Sequence, residues 1–150
     1  MLPTLQNREN APAYWFLDIL WIVLASSKAT GGAFSVMEQL MPEGAGPKPH
    51  IHPNNDEWFY ILDGAIEMQV GEHTGTFGAG TSIFIPRQTA HAFRVKTTSR
   101  VLNGFTPGAM DELVVSLARP AEGRGLPPKG LDTDPAKLKA FADNEIGHPV

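Results

Sequence analysis

Two segments, GAGPKPHIHPNNDEWFYILDG at residues 44–64 and GTSIFIPRQTAHAFRV at residues 80–95, contain the pattern that decides the fold. His50 and His52 are two residues apart, and in an extended strand that spacing puts both side chains on one face. The next four residues, Pro-Asn-Asn-Asp, are turn formers, so we expect Glu57 to begin another strand. The first segment therefore predicts two strands that carry two histidines and a glutamate.

The residues after Glu57 alternate as they do in a β-strand. Phe59 and Ile61 share the face of the carboxylate in this strand. We expect a tight hairpin turn at Asp63 and Gly64, because this dipeptide suits a two-residue turn, and a returning strand at residues 65–70. The segment is therefore predicted to be a β-hairpin that begins at the glutamate.

A second strand-forming region adds a third histidine. Residues 81–85 are rich in β-branched and aromatic side chains, and a strand at residues 90–95 contains His91. Residues 100–105 are expected to form the last core strand. Only a sheet that folds back on itself brings His91 beside the first two histidines, so the pattern predicts a β-barrel.

Three imidazoles and one carboxylate at this spacing indicate a metal site on paired strands, formed by His50, His52, Glu57 and His91. Nitrogen and oxygen ligands suit several divalent metals, so we expect Fe, Mn, Ni, Cu or Zn, and the ligand types do not select one of them. Four ligands leave one or two positions open in an octahedral site, which is typical of catalysis. The chain has no cysteine, which excludes a thiolate site.

The same residues resemble the two motifs of the cupin family. The first motif is Gly, five residues, His-x-His, three or four residues, Glu, six residues and Gly, and residues 44–64 contain every anchor. Three anchors of the second motif match, namely Gly80, Pro86 and His91. Gln88 and Val95 stand where the family has Gly and Asn. The chain resembles small single-domain cupins, and among them the quercetin dioxygenase-like subgroup.

This resemblance implies an all-β fold, a double-stranded β-helix or jelly-roll barrel, that holds one divalent metal on the four residues. It also implies a metal-dependent small-molecule enzyme, most similar to a quercetinase-like dioxygenase acting on an enolic or aromatic substrate. Glu57 is the expected catalytic residue, since it can leave the metal and act as a base. The expected substrate pocket comprises Gln39, Phe59, Phe93 and Val95, whose apolar members suit a planar ligand. Two alternatives stay open: a metal-assisted cyclase or isomerase similar to polyketide-cyclase cupins, and a non-catalytic ligand-binding cupin.

At 150 residues the chain is expected to form a single domain. We predict a barrel core at about residues 31–106, an N-terminal strand arm at 13–25 and a C-terminal helical extension at 109–146. Within that extension, apolar spacing predicts a helix at 109–118, and Pro at a first helical position predicts another at 135–144. The first helix can be either a lid over the barrel mouth or a cover for a barrel edge.

Charge and hydropathy restrict the expected partners. The net charge of −4 argues against nucleic acid, which is bound mainly through basic patches. The apolar segment 13–25 is shorter than the roughly 20 residues of a membrane span and contains Asp18. It also lacks a basic start and a cleavage site, so we expect buried strands there and a cytoplasmic protein without membrane contact. By resemblance, this N-terminal segment implies a homodimer.

Overall fold

An antiparallel β-sheet with two helices accounts for the fold of the chain. A computed structural model describes residues 1–132 and 134–144 and the backbone of residues 148–149. In chain order the elements are β1 (Ala13–Phe16), β2 (Ile19–Ala25), β3 (Ser35–Met41), β4 (His50–Ile51), β5 (Asp56–Val70), β6 (His73–Gly78), β7 (Ser82–Ile85), β8 (His91–Thr106), α1 (Met110–Leu117), β9 (Arg119–Pro120), α2 (Pro135–Asn144) and β10 (His148–Pro149). The predicted all-β double-stranded β-helix with two short C-terminal helices is confirmed.

The two longest strands, β5 and β8, link the halves of the barrel. They pair with each other from one end to the other, with Asp56 opposite Thr106 and Val70 opposite His91. The other edge of β5 pairs first with β7 and then with β6. The other edge of β8 pairs with β4 at His91 and with β3 over its second half. Strands that run through both halves bring distant parts of the sequence to one interior.

The hairpin turn predicted at Asp63 and Gly64 is wrong. The chain continues through them as β5 and turns only at Gly71 and Glu72, because both halves of β5 are paired to β8 and bury their inward side chains. The dipeptide instead lies where the pairing register shifts, and such bulges bend a strand. Gly64 has φ 99°, and a Cβ there would lie 2.7 Å from the Cα of Ser99. Glycine is therefore required by the close approach of β8.

The N-terminal apolar segment forms a hairpin, which confirms the prediction of buried strands there. β1 and β2 meet at Leu17 and Asp18, which both have positive φ, at 56° and 61°. The backbone N–H of Leu17 donates to Asp132 Oδ2 at 2.8 Å, which anchors this turn to the C-terminal part of the chain. β2 pairs with β3, so the hairpin extends the main sheet. Trp21 on β2 is buried in the core.

Both predicted helices are present, and α1 is fixed at its first turn. The buried carboxylate of Asp111 accepts hydrogen bonds from the hydroxyl and the backbone N–H of Ser27, in the loop after β2. α2 places Phe141 edge-on against Phe16, with 5.3 Å between ring centroids. Among the described residues, no helix is both long and apolar enough to cross a membrane. Residues 133, 145 and 146 of the predicted helical extension lie outside the described residues.

Candidate metal centre

Four buried side chains converge inside the barrel, namely His50, His52, Glu57 and His91. Their ligand atoms all lie within 4.8 Å of one another. His50 on β4 is paired directly with His91 on β8. Glu57 on β5 pairs with Phe105 near the opposite end of β8, so its carboxylate reaches the histidines across the interior. The structure therefore brings together all four ligands predicted from the sequence.

The spacing of these atoms fits a divalent metal ion. Glu57 Oε2 lies 3.1 Å from His52 Nε2 and 3.1 Å from His91 Nε2. Two ligands bound at about 2.1 Å and at right angles would lie about 3.0 Å apart. The ring centroids of His50 and His91 are 4.2 Å apart. A set of three imidazoles and one carboxylate at these separations can hold one ion.

Backbone carbonyls orient two of the imidazoles. His50 Nδ1 lies 2.7 Å from the carbonyl oxygen of Lys48, and His91 Nδ1 lies 2.8 Å from that of Thr89. A carbonyl oxygen only accepts hydrogen bonds, so each Nδ1 must hold a proton and donate it. In the neutral ring the lone pair is then on Nε2. The hydrogen bond from Nδ1 to the carbonyl therefore leaves Nε2 free to bind a metal.

The electrostatics of the centre favour the ligating states of two residues. Burial lowers the pKa of His50 to about 4, so this imidazole is neutral near pH 7. Burial alone would raise the pKa of Glu57, but hydrogen bonds with His52 and His91 outweigh it and hold that pKa at about 2. Burial also lowers the pKa of His91, but the Glu57 carboxylate outweighs it and the pKa is raised above 6.5. A proton therefore competes with a metal at His91.

Asn103 on β8 is a further site residue, which the sequence pattern did not single out. Its Nδ2 donates to Glu57 Oε1 at 3.1 Å and to the carbonyl of Trp58 at 3.3 Å. Gln39 Nε2 donates in turn to Asn103 Oδ1 at 3.1 Å. This chain of two amides holds the carboxylate in its orientation. A detectable signal existed, because Asn103 is a polar residue at an inward position of a predicted core strand.

A cavity of about 240 Å³ adjoins the centre. Two residues of the cluster, His50 and Glu57, are in its wall, together with Gln39 and Asn103. Most of the remaining wall is apolar and includes Leu17, Ile19, Trp21, Met41, Phe59, Phe93, Met110 and Phe141. The cavity can therefore bind a mainly apolar small molecule, which would contact the cluster of three histidines and one glutamate.

Three of the four predicted pocket residues, Gln39, Phe59 and Phe93, line this cavity. Val95 does not and lies instead in the hydrophobic core, with 1% of its surface exposed. Its backbone is covered by the loop before β4, where Gly44 N donates to Val95 O and Val95 N donates to Ala45 O, both at 2.8 Å.

Comparison with known proteins identifies a domain over the part of the chain that contains the centre. A family model described as "Cupin domain" matches residues 36–103. Quercetin 2,3-dioxygenase of Bacillus subtilis (strain 168) is 28% identical over 120 residues, which are 78% of this chain and 36% of that protein. The chain thus spans about a third of the length of this curated relative.

Solved structures of similar fold point the same way. An RmlC-like cupin from Shewanella frigidimarina NCIMB 400 has a TM-score of 0.60 and 17% identity, over 67% of this chain and 88% of the other. KdgF from Halomonas sp. has a TM-score of 0.59 and 20% identity, over 66% and 91%. At these identities the likeness shows the fold. With the family match, these structures identify residues 36–103 as a cupin domain and the fold as that of a cupin.

Proposed function

We propose that this protein is a metal-dependent enzyme, a dioxygenase that acts on an enolic or aromatic small molecule. The observation that carries the proposal is a buried four-ligand cluster, two of whose members are in the wall of an apolar cavity. A ligand in that cavity would contact the cluster. Similarity to a quercetin 2,3-dioxygenase supports dioxygenase chemistry, although this chain spans 36% of that protein.

The centre is proposed to hold one divalent ion on His50, His52, Glu57 and His91. Such an ion acts as a Lewis acid toward an enolate or vicinal oxygens, and Fe, Mn, Ni or Cu also supports reaction with dioxygen. In a dioxygenase reaction a carbon–carbon bond of the substrate breaks and both oxygen atoms enter the product. The substrate supplies the electrons that reduce dioxygen, so no external reductant is needed.

The side chains of the centre prepare it for that chemistry. The Nδ1 atoms of His50 and His91 keep their protons on backbone carbonyls, and Asn103 holds Oε1 of Glu57. The apolar wall excludes water, which strengthens electrostatic interactions inside. A pKa of about 2 makes Glu57 a weak base. We therefore propose ligation as its first role, and base catalysis by Glu57 stays a prediction.

Oxygen uptake tests the proposal. The metal-free protein would be loaded separately with Fe, Mn, Ni, Cu and Zn and supplied with flavonols, catechols and β-diketones in an oxygen electrode. We expect uptake of one dioxygen per substrate that depends on a redox-active metal. The zinc-loaded protein and the His52→Ala variant are the matched controls, and both should be inactive.

Two other results would contradict dioxygenase chemistry. Product formed under strict anaerobiosis would identify a metal-assisted cyclase or isomerase. Saturable binding without product, whichever metal is loaded, would identify a ligand-binding protein without turnover.

A further inference from the structure

The chemistry of the two amides fixes their orientation. Glu57 is an ionised carboxylate and Trp58 offers a backbone carbonyl, and both groups only accept hydrogen bonds. The atom of Asn103 that faces them must therefore be the nitrogen. Its oxygen then faces Gln39, which must present its own nitrogen at 3.1 Å. Gln39 Oε1 is therefore the last atom in this series of hydrogen-bonded amides.

Gln39 Oε1 is an acceptor that the fold leaves to a ligand. It accepts no hydrogen bond from any side chain or backbone group of the described residues, while Gln39 lines the cavity. Among its neighbours in that wall, Met41 and Phe59 have no donor, and the indole N–H of Trp21 donates to the carbonyl of Phe16 instead. A polar atom among apolar groups is costly unless it gains a hydrogen bond. A ligand with a donor at this position would provide it.

The size of the cavity limits that ligand. Pockets for drug-sized ligands are about 300–1,000 Å³, and this cavity is about 240 Å³. One amide group and two hydrogen bonds of 3.1 Å separate Gln39 from Glu57. A single six-membered ring with oxygens at opposite ends can span such a separation, whereas a three-ring flavonol needs more room.

We propose that Gln39 is a specificity-determining residue whose Oε1 accepts a hydrogen bond from a substrate hydroxyl. The substrate class is a one-ring enol or phenol, with this hydroxyl on the side opposite the oxygens that face the four-ligand cluster. This inference rests on the proposed function, because it needs the metal to hold the other end of the substrate.

Binding of two matched hydroxypyranones to the zinc-loaded protein tests this inference without turnover. Kojic acid and allomaltol share an enolic oxygen beside a ketone, and only kojic acid has a hydroxyl on the opposite substituent. Calorimetry should show that the wild type binds kojic acid about three- to tenfold more tightly, the range of one neutral hydrogen bond. Gln39→Met should remove this preference, so that the variant binds kojic acid and allomaltol with equal affinity.

The control substitution is Met41→Leu, on the same strand and in the same cavity wall. It should change the affinities for both probes by the same factor, since it removes no acceptor. Zinc content is measured in every variant, and Gln39→Met should keep about one equivalent, because Asn103 still holds Glu57.

The failures are distinguishable. Equal affinity of the wild type for both probes, a preference that survives in Gln39→Met, or tighter binding of quercetin than of kojic acid would overturn the inference while zinc uptake stayed normal. A wild-type protein that takes up no zinc or other divalent metal would overturn the proposed function and this inference with it.

Discussion

Removal of the Asn103 amide should weaken metal binding without unfolding the chain. In Asn103→Leu the side chain keeps a similar size but no longer donates to Glu57 Oε1, a hydrogen bond of 3.1 Å to an ionised group. Such a bond contributes about 1.5–3 kcal/mol. At 1.4 kcal/mol per factor of ten, metal affinity should fall by roughly 10- to 100-fold, the usual effect of residues that orient ligands.

Competition with a chromophoric chelator for Zn²⁺ measures that affinity. Circular dichroism and thermal unfolding of the metal-free proteins would establish that the variant is folded. Asn54→Leu, which changes an exposed asparagine in the turn before Glu57, is the control and should bind zinc like the wild type. A folded Asn103→Leu protein with an affinity within threefold of the wild type would refute the role of the amide.

Three further predictions concern stability, pH and a control histidine. Gly64→Ala should lower the free energy of unfolding by about 2–5 kcal/mol, because positive φ and the clash with Ser99 both oppose a Cβ. Gly80→Ala, with φ 87° and open space, should lose only about 1–2 kcal/mol in the same denaturant titration, and equal losses would contradict the steric argument. Because the pKa of His91 is raised and only its deprotonated ring ligates, zinc affinity should fall about tenfold per pH unit below that pKa and level off above it. Affinity that is independent of pH between 5 and 8 would contradict this competition. His73→Ala, at an exposed position in β6, should leave metal content unchanged, and loss of metal there would contradict the assigned ligand set.

The strands that carry the ligands could be predicted because side-chain alternation is a local property. His50, His52 and Glu57 lie within eight residues and are separated by recognisable turn formers. His91 could be placed beside these residues only by assuming a closed barrel. The structure shows this closure, because β4 pairs with β8 and His50 lies opposite His91. The motif anchors therefore define the centre before any contact is known.

The errors arose where long-range pairing overrides local preference. Asp63 and Gly64 favour a hairpin turn, yet pairing of β5 with β8 on both sides of them keeps the strand going. Alternation placed Val95 on the face of His91, but it could not show that this side chain packs in the hydrophobic core and not in the cavity wall. Asn103 was visible as a polar residue in a core strand, while its partner Glu57 is 46 residues away.

Other predictions from the sequence stay predictions. Nothing in the structure of a single chain tests four of them. They are the homodimer, the domain boundaries, the cytoplasmic location and the absence of nucleic-acid binding. Light scattering of the purified protein measures its oligomeric state, and a monomeric mass would contradict the predicted homodimer.

Elemental analysis of protein purified without an affinity tag tests the metal centre most directly. We expect about one equivalent of a divalent metal in the wild type, and a sharp loss of metal in a His52→Ala protein that is still folded. Full metal content in His52→Ala, or no metal in the wild type even after reconstitution, would contradict the assignment of His50, His52, Glu57 and His91 as the metal centre.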